Sequence, residues 1–585
     1  MANAPERTSV IKFWPDIFAA TLLFAVITTS WCSANSMWDT AAWNLPSAYP
    51  APYGDRSKAD VLLHLAFIRA AQDGHFLPFR SKIVPELGAP YEGNWNDWPV
   101  VEEFPIYAMG LIARSLGIFA ALNLALLSCH LLAGLTFYFV SRYRGVGTVW
   151  SFTAALAFGL SSYIFSESPH HVLVALCWHI PLFLLVWDWV SSESGIEAGS
   201  GRFWFGIVVA LLAGLQMPYY AGIFCQLVFL GAAAMFVRTR NWPRLISPIC
   251  FLAATAVAFA LMNVDTWVYR LKFGPNPGAL VREYKWLEIY GLKLIDLIVP
   301  PLNHHWEAFR SFAQWRAQTQ ILPDEGSYFG IMGVAALLLL AGVAIRALCK
   351  HGSLRVPKEA WQVLWIFVFF TTGGLNAIGG LLGFRFFRAG CRFSIVILAI
   401  SLLFAAEYLA RRISRRALSS MAAGLCCLII FLDQVPAPVS PEDKAIVARQ
   451  VSSDQKFVAD MESILPNEAM VFQLPVMDFP EAPLRDVSAY DHLRPYLYSH
   501  RLRFSFGSMK GRPREQWQHD LATLSLLDAI AELKKRGFSA LYVNRKAYPN
   551  EARDMEENLR ALGYNRIIEN AAGDLFCVSL DLTSF

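Results

Sequence analysis

Long apolar segments recur along the chain from residue 15 to residue 433, and short polar connections separate them. We count about eleven segments of the roughly 18–23 residues that an α-helix needs to cross a bilayer core. They lie at 15–34, 118–140, 148–166, 172–191, 203–219, 221–237, 245–263, 327–346, 360–380, 392–410 and 417–433. Because a chain in lipid must satisfy its own backbone hydrogen bonds, this pattern predicts a polytopic α-helical membrane protein.

Two loops between the apolar segments, 35–117 and 264–326, are long and mixed in polarity. Residues 104–117 and 284–300 within them repeat apolar positions at helical spacing, which predicts short helices that lie along the membrane interface. We therefore predict a transmembrane domain over 1–433 that carries both loops.

The tail, residues 434–585, contains no apolar segment long enough to span a bilayer. Helical stretches at 441–465, 514–536 and 550–562 alternate with strand-like runs at 469–474 and 540–544. Helices that alternate with short strands predict a small soluble α/β domain.

Lys and Arg in the short connections fall on one side of successive spans, at 7–12, 142–144, 202, 238–244, 346–358 and 411–416. Basic residues concentrate on the cytoplasmic side of membrane proteins, so this face is predicted to be cytoplasmic. The N-terminus is then cytoplasmic, and the two long loops and the tail face outward. We interpret the chain as a multi-pass membrane protein with its tail on the outer side.

Composition agrees with this interpretation and excludes several classes of protein. The 585 residues are 55% hydrophobic and only 16% charged, and the net charge of +4 does not indicate a nucleic-acid partner. The ten cysteines are scattered and form no C-x-x-C pair, so they predict neither a disulfide framework nor a zinc knuckle. The first apolar segment lacks a convincing cleavage site, which indicates a retained span.

The stretch 54–105 in the first loop is rich in carboxylates. Asp60 begins an apolar-periodic helix, DVLLHLAFIRAA, and shares a face with His64 four residues on. Ser57-x-x-Asp60 also has the form of a capping box, and a capping role and a catalytic role do not exclude each other. Asp97 in GNWNDWP is either a turn residue or a second carboxylate of a site, and Glu102 is either a candidate substrate contact or a charge at a helix start.

Arg385, Arg388 and Arg392 cluster in GFRFFRAGCRF, on the face where the positive-inside rule disfavours them. Three guanidinium groups among phenylalanines at the membrane surface need an anionic partner, and a lipid phosphate is the natural one. The alternative is that the three side chains only extend toward the lipid headgroups and bind no specific ligand.

Four further residues of the predicted outer face are candidate substrate contacts. Lys293 and His304 lie in the second loop, Glu325 precedes the eighth span, and His171 lies in the turn SESPHH. A histidine pair without a matching Cys/His set is a weak metal signal, so the metal remains unknown.

The order of these parts resembles the GT-C superfamily of integral-membrane glycosyltransferases: one span, a large outer loop with an early Asp, an interfacial helix, many spans and an outer soluble domain. The resemblance covers most of the chain. It extends to a group of bacterial GT-C-like proteins through D-x3-H-L-x-F-I-R at 60–69, LGAPY at 87–91, NDWP at 96–99, YGLKL-x-DL at 290–297, FQLP-x3-FPE at 472–481 and YDHLRPYL at 490–497.

The resemblance implies a sugar donor carried on polyprenyl phosphate and a glycan, lipid or protein acceptor. It implies that Asp60 is the base at the acceptor, with Asp97 orienting the acceptor or holding a metal. Many members have adjacent carboxylates near the early position, but Val61 follows Asp60 here. No cofactor is therefore certain, although a divalent metal stays open. No nucleotide site is implied, and the chain has no Gly-rich phosphate loop.

Two other functions fit a chain of this kind: a transporter or flippase of lipid-linked sugars, and a non-catalytic scaffold whose tail binds a partner. Against a transporter, the spans carry few charges at mid-depth and show no matched pair of Gly/Pro-broken helices. The feature that distinguishes an enzyme from a scaffold is whether Asp60, Asp97 and the arginine cluster converge on one cavity.

Overall fold

The structure is a computed structural model, and it describes residues 13–47, 60–98, 102–167, 171–279, 281–320, 326–351, 355–482, 484 and 486–581. The chain forms two compact units, each drawn from separate parts of the sequence. The helical unit comprises residues 1–39, 124–259 and 281–439. The mixed unit comprises residues 40–123, 260–280 and 440–585.

Among the described residues, eight helices are long and apolar enough to cross a membrane. They are Phe13–Ala34, Ile118–Tyr143, Thr148–Glu167, Pro218–Thr239, Trp242–Met262, Gly330–Lys350, Gly390–Arg412 and Arg416–Gln434. The other three predicted spans coincide with the shorter helices Ile180–Val190, Gly201–Gly214 and Lys358–Phe370. The prediction of a polytopic helical membrane protein with a small C-terminal sheet is confirmed.

Close packing in the helical unit depends on glycines at two helix crossings. A Cβ on Gly134 would lie 2.6 Å from Ile27 Cδ1, and a Cβ on Gly214 would lie 2.5 Å from the carbonyl oxygen of Thr255. Both separations are below van der Waals contact. The Thr255 oxygen is a backbone atom, so only glycine lets the two backbones approach at Gly214, whereas at Gly134 the end of the Ile27 side chain would have to move. Helix Ser394–Arg412 is buried along most of its length, which places it at the centre of the unit.

The remaining helices of the helical unit are short and connect the spans. They are Val172–Ala175, Lys285–Ile289, Glu307–Thr319 and Leu375–Leu381. The predicted interfacial helix over 284–300 is wrong in length, because the helix ends at Ile289. Leu292 instead donates its N–H to the Phe370 carbonyl at 2.9 Å and accepts from the Thr372 N–H at 3.2 Å.

The mixed unit is built on a five-stranded sheet. Its helices are Asp60–Asp73, Glu103–Leu116, Val264–Phe273, Pro441–Ile464, Arg494–Tyr498, Pro513–Ala522, Leu526–Lys535 and Arg553–Ala561. The strands of the chain are β1 (Ile83–Val84), β2 (Gly93–Asn94), β3 (Met470–Leu474), β4 (Arg503–Phe504), β5 (Phe538–Asn544), β6 (Ile567–Glu569) and β7 (Leu575–Ser579). The sheet order is β4-β3-β5-β7-β6, with β3 parallel to both neighbours, and β1 pairs separately with β2.

Part of the first loop covers the open edge of β4. The Phe504 N–H donates to the Glu86 carbonyl at 2.8 Å, and the Ala89 N–H donates to the Phe504 carbonyl at 3.0 Å. Ala89 also belongs to the apolar core of the unit, together with Phe472 and Trp517. Because an uncovered edge strand invites pairing with other chains, this loop segment protects the sheet. The division of the chain at residue 434 stays a prediction.

Two tail elements differ from the sequence expectation in detail. The predicted helix 514–536 is two helices, because Ser525 accepts a hydrogen bond from the Asp528 N–H at 3.2 Å and so caps a new helix. The predicted strand at 540–544 begins earlier, at Phe538, while the predicted strand at 469–474 corresponds closely to β3.

Candidate functional site

The arginine loop, which we define as residues 383–393, is held in place by backbone contacts within the helical unit. A Cβ on Gly390 would lie 2.5 Å from the Phe370 carbonyl oxygen, so glycine is required at this crossing. Asn376 donates its side-chain amide to the Phe387 carbonyl at 2.6 Å. The Ala389 N–H donates to the Tyr219 hydroxyl at 3.3 Å. The loop therefore presents its arginines from a fixed backbone.

Aromatic rings contact two of the three arginines. The Arg392 guanidinium lies 5.1 Å from the centroid of the Tyr219 ring and is buried, with 7% of the residue exposed. The half-buried Arg388 guanidinium lies 5.9 Å from the centroid of the Tyr290 ring. A ring face attracts a cation but does not neutralise its charge. The two tyrosine rings therefore hold these guanidinium groups without neutralising them.

Arg385 and Arg388 have no carboxylate within ion-pair distance among the residues that the structure describes. The closest polar contact of Arg385 is weak: its Nη1 lies 3.5 Å from the Arg282 carbonyl oxygen, and its Nε is buried without a hydrogen bond. A partly buried cation without an anionic partner is costly. This part of the helical unit is therefore suited to an anionic ligand.

The structure brings Lys293 to the arginine loop. The Cys391 N–H donates to the Tyr290 carbonyl at 3.0 Å, so the segment that carries Lys293 runs beside the loop that carries Arg388 and Arg392. Lys293 Nζ donates to the Ile289 carbonyl at 3.0 Å and lies 3.5 Å from Asp296 Oδ2. Lys293 is thus partly neutralised, unlike Arg388.

His304 and His171 lie in other settings. His304 is 2% exposed; its Nδ1 accepts from the Trp306 N–H at 3.0 Å and its Nε2 lies 3.3 Å from Asp433 Oδ1. These contacts describe a histidine that ties a loop to the end of a helix. His171 Nδ1 lies 3.1 Å from Oε2 of Glu167, four residues earlier in the sequence. Glu325 lies outside the described residues, and the roles of all three stay predictions.

Asp60 and Glu102 both stand where helices of the mixed unit begin. Asp60 is the half-buried first residue of helix Asp60–Asp73, and Glu102 is the N-cap of helix Glu103–Leu116. The two helices pack closely, because Gly110 lets the backbone at Ala71 approach; a Cβ there would lie 2.4 Å from Ala71 Cβ. A negative charge in a first turn is favoured by the helix dipole, so either role proposed for Asp60 remains compatible with its position.

Asp97 is the centre of a hydrogen-bond network in the mixed unit. Arg512 binds it with two bonds, from Nε to Oδ2 at 2.6 Å and from Nη2 to Oδ1 at 2.8 Å. Asn276 donates to Oδ2 at 3.1 Å, and Arg270 donates to the Asp97 carbonyl at 3.1 Å. Both carboxylate oxygens are thus occupied by a bidentate pair of the strong kind. This setting suits an anchor between chain segments, while the catalytic role of Asp97 stays a prediction.

A buried charge cluster that the sequence did not reveal lies in the same unit. Lys82 Nζ contacts Glu103 Oε1 and Asp265 Oδ2, and all three side chains are almost completely buried. The Phe79 N–H donates to Glu103 Oε2 at 2.8 Å. Burial raises the pKa of Glu103; the charge of Lys82 opposes that rise and Asp265 adds to it. Two acids share one cation here, so the cluster can hold an additional proton.

The local sequence does not connect Glu103 with Lys82 or Asp265. Lys82 lies 183 residues from Asp265 along the chain, and no local periodicity connects them. The one available signal was a lysine in SKIVPEL, a stretch that is otherwise apolar enough to be buried.

Comparisons with known proteins add little to this description. No protein-family profile matches the chain, and no curated protein matches it in sequence. The crystal structure of ArnT from Cupriavidus metallidurans bound to undecaprenyl phosphate aligns with 96% of this chain and 98% of its own, at 11% sequence identity and a TM-score of 0.44. The proposals below rest on the residues of this chain.

Proposed function

We propose that this chain is a GT-C-type glycosyltransferase that moves a sugar from a polyprenyl-phosphate donor to the hydroxyl group of an acceptor. One observation carries the proposal: Arg385 and Arg388 stand in a membrane protein without a carboxylate partner among the described residues. A lipid phosphate is the anion that a membrane supplies at such a place.

In the proposed reaction, the arginines stabilise the phosphate that leaves. The acceptor oxygen attacks the anomeric carbon, the bond between that carbon and the phosphate oxygen breaks, and polyprenyl phosphate departs with the bonding electron pair. Because negative charge grows on the phosphate in an oxocarbenium-like transition state, fixed guanidinium groups stabilise that state more than the donor itself. Arg388 and Arg392, held over tyrosine rings, are the preferred donors of this charge, and Lys293 adds to it.

Asp60 is the proposed base that accepts the proton of the attacking hydroxyl. It is half-buried at the start of a helix, where a carboxylate has a defined position. Glu102 is the proposed second contact to the acceptor, because it begins the neighbouring helix. Asp97 has its oxygens occupied by Arg512, so in this proposal it positions the loop and does not touch the sugar.

The proposed site of action is the outer face of a bacterial inner membrane. The basic connections at 238–244 and 411–416 support a cytoplasmic opposite face. A donor carried on a polyprenyl lipid also needs no nucleotide on that outer side. The sugar and the acceptor remain to be identified by mass spectrometry of lipid-linked sugars and surface glycans, with and without the gene.

Measurements of lipid-phosphate binding and of sugar transfer distinguish the role proposed for Arg388 from the role proposed for Asp60. In the purified full chain, Arg388→Gln should weaken binding of undecaprenyl phosphate by about 10- to 100-fold, the range for a lost charged hydrogen bond. The exposed Arg346, in a different basic segment, gives the matched control Arg346→Gln, which should bind as the parent does. Equal affinity in Arg388→Gln and the parent would remove the support for a phosphate site.

Asp60→Asn should leave undecaprenyl-phosphate binding unchanged and reduce transfer by about a hundredfold or more, as expected for loss of a general base. Asparagine caps a helix about as well as aspartate, so the substitution preserves the helix start. Full transfer activity in this variant would mean that Asp60 only caps its helix.

A further inference from the structure

We propose that Asp478, Glu515 and His519 form a binding site for a divalent transition-metal ion in the mixed unit, with Zn²⁺ as the best match. His519 Nε2 lies 2.8 Å from Asp478 Oδ1 and 2.5 Å from Glu515 Oε1. All three potential ligand atoms lie within 4.8 Å of one another. The site uses none of the residues assigned to sugar transfer.

Two elements of the mixed unit bring these ligands together. Glu515 and His519 lie one turn apart on helix Pro513–Ala522, so they share a helix face. Asp478 lies in the loop that follows β3, whose parallel neighbours are β4 and β5. That loop is fixed by a hydrogen bond from the Lys510 N–H to the Phe479 carbonyl at 2.8 Å. The carboxyl end of a parallel strand is where α/β sheets commonly hold ligands.

A count of hydrogen-bond donors shows why a cation suits this cluster. His519 Nε2 lies 2.8 Å from Asp478 Oδ1, and one ring nitrogen carries at most one hydrogen. Glu515 Oε1 is buried and has no hydrogen bond, although it points at the same nitrogen. A buried carboxylate oxygen without a donor is costly. An ion in place of the proton would bind all three atoms at once and remove that cost.

The ligand set identifies the class of ion. One imidazole nitrogen with two carboxylate oxygens suits Zn²⁺ or a similar transition metal, whereas Mg²⁺ prefers oxygen ligands alone. Zinc-ligand bonds of about 2.0–2.2 Å place tetrahedral ligands roughly 3.4 Å apart, so the two contacts of His519, at 2.8 and 2.5 Å, need to lengthen by less than about 1 Å.

Solvent can reach the site from one side. The Asp478 and His519 side chains keep 39% and 41% of their surface exposed, while Glu515 keeps 5%. An ion here would have an entry path and would keep a coordination position for water or another ligand.

The test is metal binding by the full chain in detergent, stripped with EDTA and then titrated with Zn²⁺ by calorimetry. The expected result is one equivalent bound to the parent, and at least a tenfold weaker affinity in Glu515→Gln and in His519→Gln. His75→Gln is the matched control, because His75 lies 3.4 Å from the single carboxylate of Glu86 in the same unit and should not affect the stoichiometry.

Thermal unfolding with and without Zn²⁺ distinguishes a variant that has lost the metal site from one that does not fold. The same concentration of Zn²⁺ should raise the thermal unfolding midpoint of the parent and of His75→Gln by more than that of Glu515→Gln, because the stabilisation grows with the ratio of metal concentration to Kd. The midpoints without metal show whether each variant is folded. Absence of Zn²⁺ binding in the parent, or binding that survives both ligand substitutions, would overturn the proposal, and a proton shared by the carboxylates would then explain the cluster.

Discussion

Replacement of Asp97 by asparagine distinguishes an anchor from a catalytic carboxylate. Asparagine has nearly the same shape as aspartate, but it cannot form the charged bidentate pair with Arg512. The Asn276 contact at 3.1 Å can persist, because an amide oxygen still accepts a hydrogen bond. The substitution therefore removes one charge from a network that joins three separate segments of the mixed unit.

The expected cost follows from the burial of the two partners. Loss of one member of a fully buried ion pair costs about 3–5 kcal/mol, because the other charge is left without compensation. Arg512 keeps 13% of its side chain exposed and still donates to the carbonyls of Phe273 and Gly274, each at 2.9 Å. We therefore expect a smaller loss of about 2–3 kcal/mol in the free energy of unfolding.

The assay is thermal unfolding of the full chain in detergent, measured beside sugar transfer. A loss of that size should lower the unfolding midpoint by about 4–12 °C, using roughly 2–4 °C per kcal/mol for domains of about 150–250 residues. Asp73→Asn is the matched control: its pair with Arg69, at 2.7 Å, is a more exposed i,i+4 contact and should cost about 0.5 kcal/mol or less.

The rate of sugar transfer in Asp97→Asn distinguishes an anchoring role of Asp97 from a catalytic role. If Asp97 is an anchor, transfer at a temperature well below the midpoint should fall only as far as the folded fraction falls. A loss of transfer of a hundredfold or more with an unchanged midpoint would refute the anchor, and Asp97 would then be a catalytic residue.

Two further predictions concern the buried cluster and the orientation of the chain. Lys82→Met should lower stability by about 3–5 kcal/mol at neutral pH. Without the lysine, burial and the charge of Asp265 raise the folded-state pKa of Glu103 with no cation to oppose them, so stability should fall as pH rises through and above the unfolded-state pKa of about 4. A pH-independent loss in unfolding experiments would contradict this. A reporter active only in the periplasm should be active when fused after residue 440 and silent after Arg355, and the opposite pattern would reverse the proposed orientation.

Periodicity in the sequence predicts the helices well because it reflects local burial. Each of the eleven predicted apolar segments coincides with a helix, and the predicted tail helix at 441–465 matches Pro441–Ile464. The segment 284–300 fails for a tertiary reason: Gly291 lies so close to Thr372 that a Cβ would be 2.5 Å from its hydroxyl oxygen. Periodicity cannot detect a backbone that is bent to fit its neighbour.

The candidate site was predicted only in part, because charges pair over distances that local sequence does not record. The arginine cluster was recognisable, because three arginines among phenylalanines on the predicted outer face break the rule that basic residues concentrate on the cytoplasmic side. The Arg512 partner of Asp97 lies 415 residues further along the chain. No spacing or composition links the two, so Asp97 was interpreted without the residue that determines its chemistry.

The many carboxylates of the first loop have a structural explanation, and that explanation leaves fewer of them as candidates for catalysis. Asp73, Glu86, Asp97 and Glu103 each contact a basic side chain within the mixed unit, and for Asp97 and Glu103 that side chain comes from a distant segment or is itself buried. The mixed unit is assembled from three stretches of chain, and such pairs fix the positions of these stretches relative to one another. They can do so because the partners must match in geometry as well as in charge. An excess of acids is therefore what this assembly requires, with or without catalysis. The cations that favour an enzyme are Arg385 and Arg388, which have no carboxylate partner among the residues that the structure describes.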